Sequence, residues 1–411
     1  MTRQETVAAA GPGQVAPTSG PSPRPGPGLD GVTLVRTVAT ALVRLSRWRD
    51  VGDRVYADGV QGAYNHLVLC AIAGGGEPPA SVPDMVTWAG RTPLAQWPTG
   101  LPAAALAEAG LGSGDFLVDA ETRTPTQGCF EWAMAVPDVP AELFENTVIN
   151  EALANCQAAG SPEAYTAFRR LLITRPVLTA VELAALGAKL DLVPVYELVR
   201  RCYEAVPAAY RDPGGAYRLC GRCGCVLIPL RDGRFRCELD RCRHDGREEP
   251  DRVEAAPDGL LQVRRPLRVF ITSPGLAETE LEATLRGKDG RRGKQSAPGI
   301  GVEMWPAFDA YDLRLTFADG TVWAVDVKDW ASPSLLGART RSFAAAPPHD
   351  RALIVIPAYR LRRREDYKRA FEHALDPGLR RLVEICTDAD LVKQARRQAR
   401  RAAAATENGG R

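Results

Sequence analysis

No stretch of the 411-residue chain approaches the roughly 18–20 consecutive apolar residues that a membrane-spanning helix needs. The first thirty residues are rich in Pro, Gly, Ala and Ser and lack the apolar core of a signal peptide. They predict a disordered leader over 1–30 and a cytoplasmic protein. Thiols stay reduced there, so the ten cysteines are not read as a disulfide framework. The chain also lacks an excess of charge. Its net charge is +2, so bulk electrostatics identify no partner. Internal repeats are absent too, which excludes a stacked-repeat architecture.

What is present is ordinary in bulk and uneven in detail. Apolar residues make up 45% and charged residues 25%, as in a globular protein. At about 150 residues per domain, the length suggests two or three domains. Positions 101–160 hold nine acidic residues against one basic, whereas 360–411 hold fourteen basic against eight acidic. A basic C-terminal end suits a polyanion, although charge of this kind is more often a solvated helix face.

From Gly31 to Asp212 the pattern is mostly helical. Leu34, Val35, Val38, Leu42 and Val43 recur at helical spacing, and Thr179 and Glu182 form a capping-box pair. Trp88 and Trp97 read as core residues. Two short helices, through Leu186 and over Val193–Val206, invite a helix-turn-helix reading, but no recognition helix rich in Arg, Asn or Gln stands out. From Leu267 strands and helices alternate: a strand over 267–272, a helix over 274–286 and a charged loop over 286–298. Strands follow at 301–304, 310–317 and 321–327, a helix at 333–343, a strand at 352–356, a helix at 360–375, a strand at 382–386 and a basic helix at 389–404.

Between these halves lies Cys220–Gly–Arg–Cys223, then Cys237–Glu–Leu–Asp–Arg–Cys242. Two close cysteine pairs separated by a hairpin-like segment supply a tetrahedral zinc site. Four thiolates close the coordination sphere, so such a zinc ion is structural. Cys225 and His244 are alternatives for the fourth ligand. The arginines around the knuckle lean toward phosphate contact.

The acidic residues carry the chemistry. Asp319–Gly320 between two apolar runs is a hairpin signal. In the second strand Asp326 and Lys328 are two apart and face one side. The hairpin brings Asp312 beside Asp326. Two carboxylates holding Mg2+ or Mn2+, with an ammonium to orient water and neutralise charge, make a minimal phosphodiesterase site. A structural salt bridge is the competing reading of the same residues. Glu303, and Glu280 or Glu282 on the preceding helix, are candidate further ligands. Asp366–Tyr–Lys368 repeats the Asp-x-Lys pattern in a helical context, where the two side chains diverge.

These residues resemble the restriction-endonuclease-like PD-(D/E)xK nucleases. Val302–Glu–Met–Trp–Pro306, Tyr311–Asp–Leu313 and Trp323–Ala–Val–Asp–Val–Lys–Asp–Trp330 resemble the nuclease of pPIWI-RE three-gene islands, over roughly Leu267 to Cys386. The family's Pro before the first catalytic Asp is absent. Tyr311 precedes Asp312 and Pro306 lies further back, which leaves Asp309 as a competing position. The resemblance implies a DNA endonuclease in defence against phage or plasmids, working with a PIWI-like protein and a helicase. It implies Asp312 and Asp326 as magnesium ligands, Lys328 as catalytic lysine, and Glu303 or Glu280 in support.

The expected architecture is α/β: a helical part over 31–212, a zinc knuckle over 213–250, a nuclease domain with a mixed sheet flanked by helices over 265–390, and a basic tail over 391–411. Two alternatives compete with the nuclease. One is an inactive nuclease fold that binds DNA or a partner, and the other is a zinc-ribbon transcription regulator.

Overall fold

The computed structural model describes residues 31–46, 59–112, 114–134, 140–244, 250–254, 258–287 and 299–409. The leader expected over 1–30 and most of the expected 286–298 loop lie outside the described residues. The protein is a mixed α/β structure: a helical N-terminal part, a four-cysteine cluster and a five-stranded mixed sheet near the C-terminus. Among the described residues no helix is long and apolar enough to cross a membrane.

The first helix, Gly31–Ser46, buries Leu34, Val35, Val38, Leu42 and Val43, the stripe that its spacing predicts. It packs on helices Val60–Ala73 and Gln127–Met134. Trp97 is buried in the same cluster, with Trp88 half-buried at 4.7 Å between ring centroids. Helices Pro140–Ala158 and Pro162–Thr174 belong instead to a second core. That core is continuous with the cysteine cluster and one face of the large sheet.

The predicted capping box at Thr179 forms, with both reciprocal hydrogen bonds in place. The helix-turn-helix reading does not survive. The helix after Thr179 spans only Ala180–Ala185, passes through tight 3-10 turns over Leu186–Ala188 and Leu190–Val195, and reaches the seven-residue helix Tyr196–Cys202. The chain then enters strand β2 (Tyr203–Ala205). Strand β1 (Val177–Leu178) and β2 flank β7 (Leu261–Val263), so the segment leading into the C-terminal part is woven into the helical part.

In the knuckle, β3 (Tyr217–Cys220) pairs with β6 (Pro250–Glu254), and β4 (Ile228–Pro229) with β5 (Phe235–Arg236). The β4–β5 pair is the expected hairpin between the two cysteine pairs.

One element is of the wrong type in the sequence reading. Residues 267–272, expected as a strand, are helical: Arg265–Leu267 runs through a π-turn at Arg268–Thr272 into helix Ser273–Leu285. The apolar run Leu267–Ile271 satisfies either state. Pro274 lacks an N–H and its ring crowds the carbonyl four residues back, and one wider turn accommodates this without ending the helix.

The five-stranded sheet has the order β12-β11-β10-β9-β8. β8 (Ile300–Met304), β9 (Leu313–Phe317) and β10 (Val322–Val327) form an antiparallel meander. β11 (Arg351–Ile356) and β12 (Glu384–Thr387) continue parallel to β10. Gly320, at φ 82°, supplies the left-handed residue of the β9–β10 turn.

One face of the sheet packs on the C-terminal helix Asp388–Gly409 through Leu391, Ala395 and Ala399. Helices Pro333–Arg339 and Tyr367–Ala374 cover the other face with Leu336, Tyr367 and Phe371 against Ile354 and Ile356. These two helices touch so closely that a Cβ on Gly337 would lie 2.6 Å from the Phe371 carbonyl oxygen. The span expected as one helix over 360–375 is two, Ala358–Arg363 and Tyr367–Ala374.

Candidate functional site

Asp312 stands one residue before β9, and Asp326 lies near the end of β10. The register pairs Leu313 with Val325, which sets Asp312 opposite Asp326 at the strand ends. The Val327 amide donates to Asp312 Oδ2 at 2.6 Å. That bond holds the carboxylate of Asp312 at the backbone between Asp326 and Lys328. Lys328 Nζ lies 2.9 Å from Asp326 Oδ2. The three residues named from sequence therefore meet at one edge of the sheet, with Asp312 buried and Asp326 and Lys328 half-buried.

Their electrostatics are strained in one direction. Burial, then the neighbouring Glu278, push the Asp312 carboxyl well above its ordinary range; Lys328 opposes this, and Asp326 and Asp309 add to it. Burial works against the Lys328 ammonium, but Asp326 and Asp312 outweigh it, so its pKa lies above the usual lysine value. Lys328 is a cation here. Carboxylates crowded in low dielectric are a donor set that a divalent cation relieves.

The helix acid differs from the expected one. Glu280 faces the knuckle, where it accepts from Arg222 Nε at 3.0 Å and Nη2 at 2.9 Å and from Arg241 Nη2 at 2.7 Å. Glu282 pairs with Arg170 at 3.0 Å and Arg286 at 3.1 Å. Glu278 faces the site. It is buried, its carboxyl is raised by desolvation against the pull of Arg169, and it interacts with both Asp312 and Lys328. Glu278 and Glu282 both lie on the buried stripe with Leu281 and Leu285, so the stripe separates them from Glu280, and the packing of the helix separates the two from each other. Glu303 is exposed and sits opposite Arg314 in the β8–β9 register, its Oε2 3.8 Å from Arg314 Nη1. It is on the sheet but outside this cluster.

Asp309, the competing position, lies close enough to act on Asp312 but is bound by side chains of the helical part. Tyr165 donates to it at 2.9 Å, and Arg169 pairs with it. Arg169 also pairs with Glu278 at 3.2 Å and stacks over the Trp305 ring at 4.8 Å. Trp305 Nε1 donates to Glu278 at 2.5 Å. Trp305, Ala307, Phe308 and Asp309 all adopt positive φ, each costing on the order of 1 kcal/mol or more. The contacts to Tyr165, Arg169 and Glu278 hold that left-handed segment against the site.

The second candidate centre is the cysteine cluster. The sulfurs of Cys220, Cys223, Cys237 and Cys242 lie within 4.8 Å of one another, all buried, and could bind a metal such as zinc. Cys223 and Cys237 are 3.6 Å apart. Tetrahedral Zn–S bonds of about 2.3 Å put sulfurs about 3.8 Å apart, so the spacing fits. Hydrogen bonds from the other three sulfurs push Cys220 down, while Cys220 pushes those three up. Four sulfurs this close hold four negative charges only around a cation.

The alternatives fall away. Cys225 lies outside the set, its amide 3.4 Å from Cys223 Sγ, and His244 contacts Arg363 and the Tyr359 ring. Among the described residues no three carboxylates gather as tightly as these thiols. Of the six arginines around the knuckle, Arg222, Arg234, Arg236, Arg241 and Arg243 are paired with carboxylates of the protein, and Arg231 is exposed.

Residues 275–403 match a family model described as "REase associating with pPIWI_RE", and residues 34–179 match one described as "pPIWI_RE three-gene island domain Y". The first covers Glu278, Asp312, Asp326 and Lys328, and the second covers the helical part up to the capping box. No curated protein and no solved structure matches the chain. The family names suggest a restriction-endonuclease-like domain, hence nuclease activity, and partner proteins from a three-gene island.

Proposed function

We propose that the chain is a metal-dependent DNA endonuclease whose C-terminal part has the restriction-endonuclease-like fold. The observation that carries this reading is the 2.6 Å bond from the Val327 amide to Asp312, which gathers Asp312, Asp326 and Lys328 at one sheet edge. A structural ion pair needs Asp326 and Lys328 alone. It does not need a second buried aspartate beside them, nor Glu278 behind that.

In this reading Asp312 and Asp326 hold magnesium or manganese. A bound divalent ion would neutralise phosphate oxygens and lower the pKa of a water. Lys328 faces the scissile phosphate from the Asp326 side, orients the attacking water and offsets the charge that develops on the phosphate. Glu278 takes the helix-acid role first expected of Glu280 and holds Arg169 and Trp305 behind the site. Glu303 takes no part. Zinc on the four cysteines is structural. The helical part over 31–212, the knuckle over 213–250 and the sheet over 265–390 act together, with DNA as substrate and a PIWI-like protein and a helicase from the same island as partners.

The test is plasmid nicking by the purified full chain with magnesium or manganese, alone and with its island partners. Asp312→Asn is expected to abolish cutting and to leave the melting temperature no lower, because it removes a disfavoured buried charge. Absence of cutting by the unmodified chain under all these conditions, or full activity of the variant, sinks the proposal.

A further inference from the structure

Four residues leave β10 after Lys328, and side chains from distant parts of the chain take their polar groups. Glu131 comes from helix Gln127–Met134, 200 residues earlier. Its two buried carboxylate oxygens accept the Ala331 amide at 2.8 Å and the Ser332 amide at 2.8 Å. Gln127, one turn back, donates to the Asp329 carbonyl at 2.5 Å and accepts from Arg360 at 2.6 Å. The Asp329 carboxylate is buried between Arg360 Nε at 2.6 Å and Arg241 Nη1 of the knuckle at 3.0 Å. A strand end ordinarily frays, because its last amides and carbonyls look to water. Here the carbonyl of 329 and the amides of 331 and 332 are all satisfied by one helix of the N-terminal part.

We infer that Glu131, with Gln127, is a positioning residue for Lys328: this clasp fixes the backbone leaving β10 and so sets where the lysine ammonium lies against Asp326 and Asp312. A carboxylate accepting two successive amides fixes the direction of the chain as well as its place. Lys328 is one residue from the first clasped group. The helical part, matched by the island-domain model over 34–179, thereby contributes to the geometry of the site. Displacing a reacting group by about 1 Å costs on the order of 100-fold in rate. The inference rests on the nuclease reading for its rate readout only.

The experiment uses the full chain and two readouts. The first is brief acetylation with acetic anhydride at one pH, with each lysine quantified by peptide mapping. Lys393, exposed on the C-terminal helix, is the internal reference. The second is plasmid nicking, resolved into kcat and KM. In Glu131→Ala, Lys328 acetylation is expected to rise several-fold relative to Lys393. kcat should fall about 100-fold, with KM for DNA and zinc content unchanged. Glu131→Gln, which keeps an acceptor, should restore part of both. Lys328 acetylation and kcat equal to those of the unmodified chain overturn the inference.

If Glu131→Ala fails to fold, Gln127→Met decides. It removes the Asp329 carbonyl contact and the side-chain bonds to Arg360 and Glu131, leaves the two amide contacts of Glu131 in place and should shift both readouts in the same direction by less, and no shift overturns the inference. A chain that never cuts DNA but whose Lys328 acetylation rises in the variants keeps the positioning role and loses the nuclease. A chain that cuts, with acetylation unmoved, does the reverse.

Discussion

Replacing Lys328 with alanine separates a metal site from a salt bridge, because the two readings demand changes of opposite sign. The ammonium lies 2.9 Å from Asp326 Oδ2 and occupies the electrostatic position that a divalent ion would share. At an effective dielectric of about 20, a unit charge about 4 Å away is worth about 4 kcal/mol. The Lys328 and Asp326 side chains are 27% and 23% exposed, so solvent screens much of that. A residue of about 1–2 kcal/mol remains, which predicts magnesium or manganese binding roughly tenfold tighter in Lys328→Ala. Nicking should fall about 100- to 1,000-fold, the range for loss of one preorganised charge-stabilising group. Calorimetric titration of the metal and single-turnover plasmid cleavage measure the two quantities on the same preparation. If the variant binds metal no tighter, the acidic edge is not the metal site. If it cuts at the unmodified rate, Lys328 is not part of the chemistry.

Three other outcomes follow from buried or unpaired charge. Burial pushes the Glu131 carboxyl up to about 7, against Arg360, the Ala331 and Ser332 amides and Gln127. The folded state therefore holds a proton that the unfolded chain has released, and stability is lost as pH rises from about 4.5 to about 7, by at most about 3 kcal/mol. Denaturant midpoints across that range should slope downward in the unmodified chain and flatten in Glu131→Gln; equal slopes refute the assignment.

Arg396, Arg397, Arg400 and Arg401 on the C-terminal helix have no carboxylate within ion-pair distance among the described residues, unlike most arginines of the knuckle. Gln398 bonds Asp319 at the β9–β10 turn, so this face lies at the end of the sheet away from Lys328. Changing Arg397, Arg400 and Arg401 to alanine should cut the slope of log affinity for DNA against log salt by about 2–3, at about 0.9 per phosphate. An unchanged slope makes the face merely solvated.

Cys223→Ser should lower bound zinc well below one ion per chain and reduce the melting temperature by several degrees. A full zinc complement with unaltered melting would show that the four sulfurs are not the ligand set.

Much of the site was legible without coordinates, for a physical reason. Asp326 and Lys328 share a strand, and a strand's two-residue period fixes their common side. The Asp319–Gly320 turn fixes the β9–β10 register and with it the meeting of Asp312 and Asp326. The cysteine spacing likewise pointed to a four-ligand set, because pairs with two to four residues between them can close on one ion, but Cys225 and His244 stayed open as the fourth ligand until the packing left them outside it.

The tertiary structure decided what depends on rotation and crossing. Glu278, Glu280 and Glu282 lie within two turns of one helix, and only the packing of that helix assigns Glu278 to the site, Glu280 to Arg222 and Arg241, and Glu282 to Arg170. Residues 267–272 were ambiguous because a short apolar run satisfies strand or helix equally. The neighbours at Pro266 and Pro274 bend a helix through a π-turn and do not end it. The clasp of Glu131 on Ala331 and Ser332 could not be read from the sequence at all. Glu131 sits in an apolar stretch like any helix acid, and its meaning comes from two amides 200 residues away. Local periodicity determined which residues share a side of their own element, and only the packing of one element on another determined what that side faces.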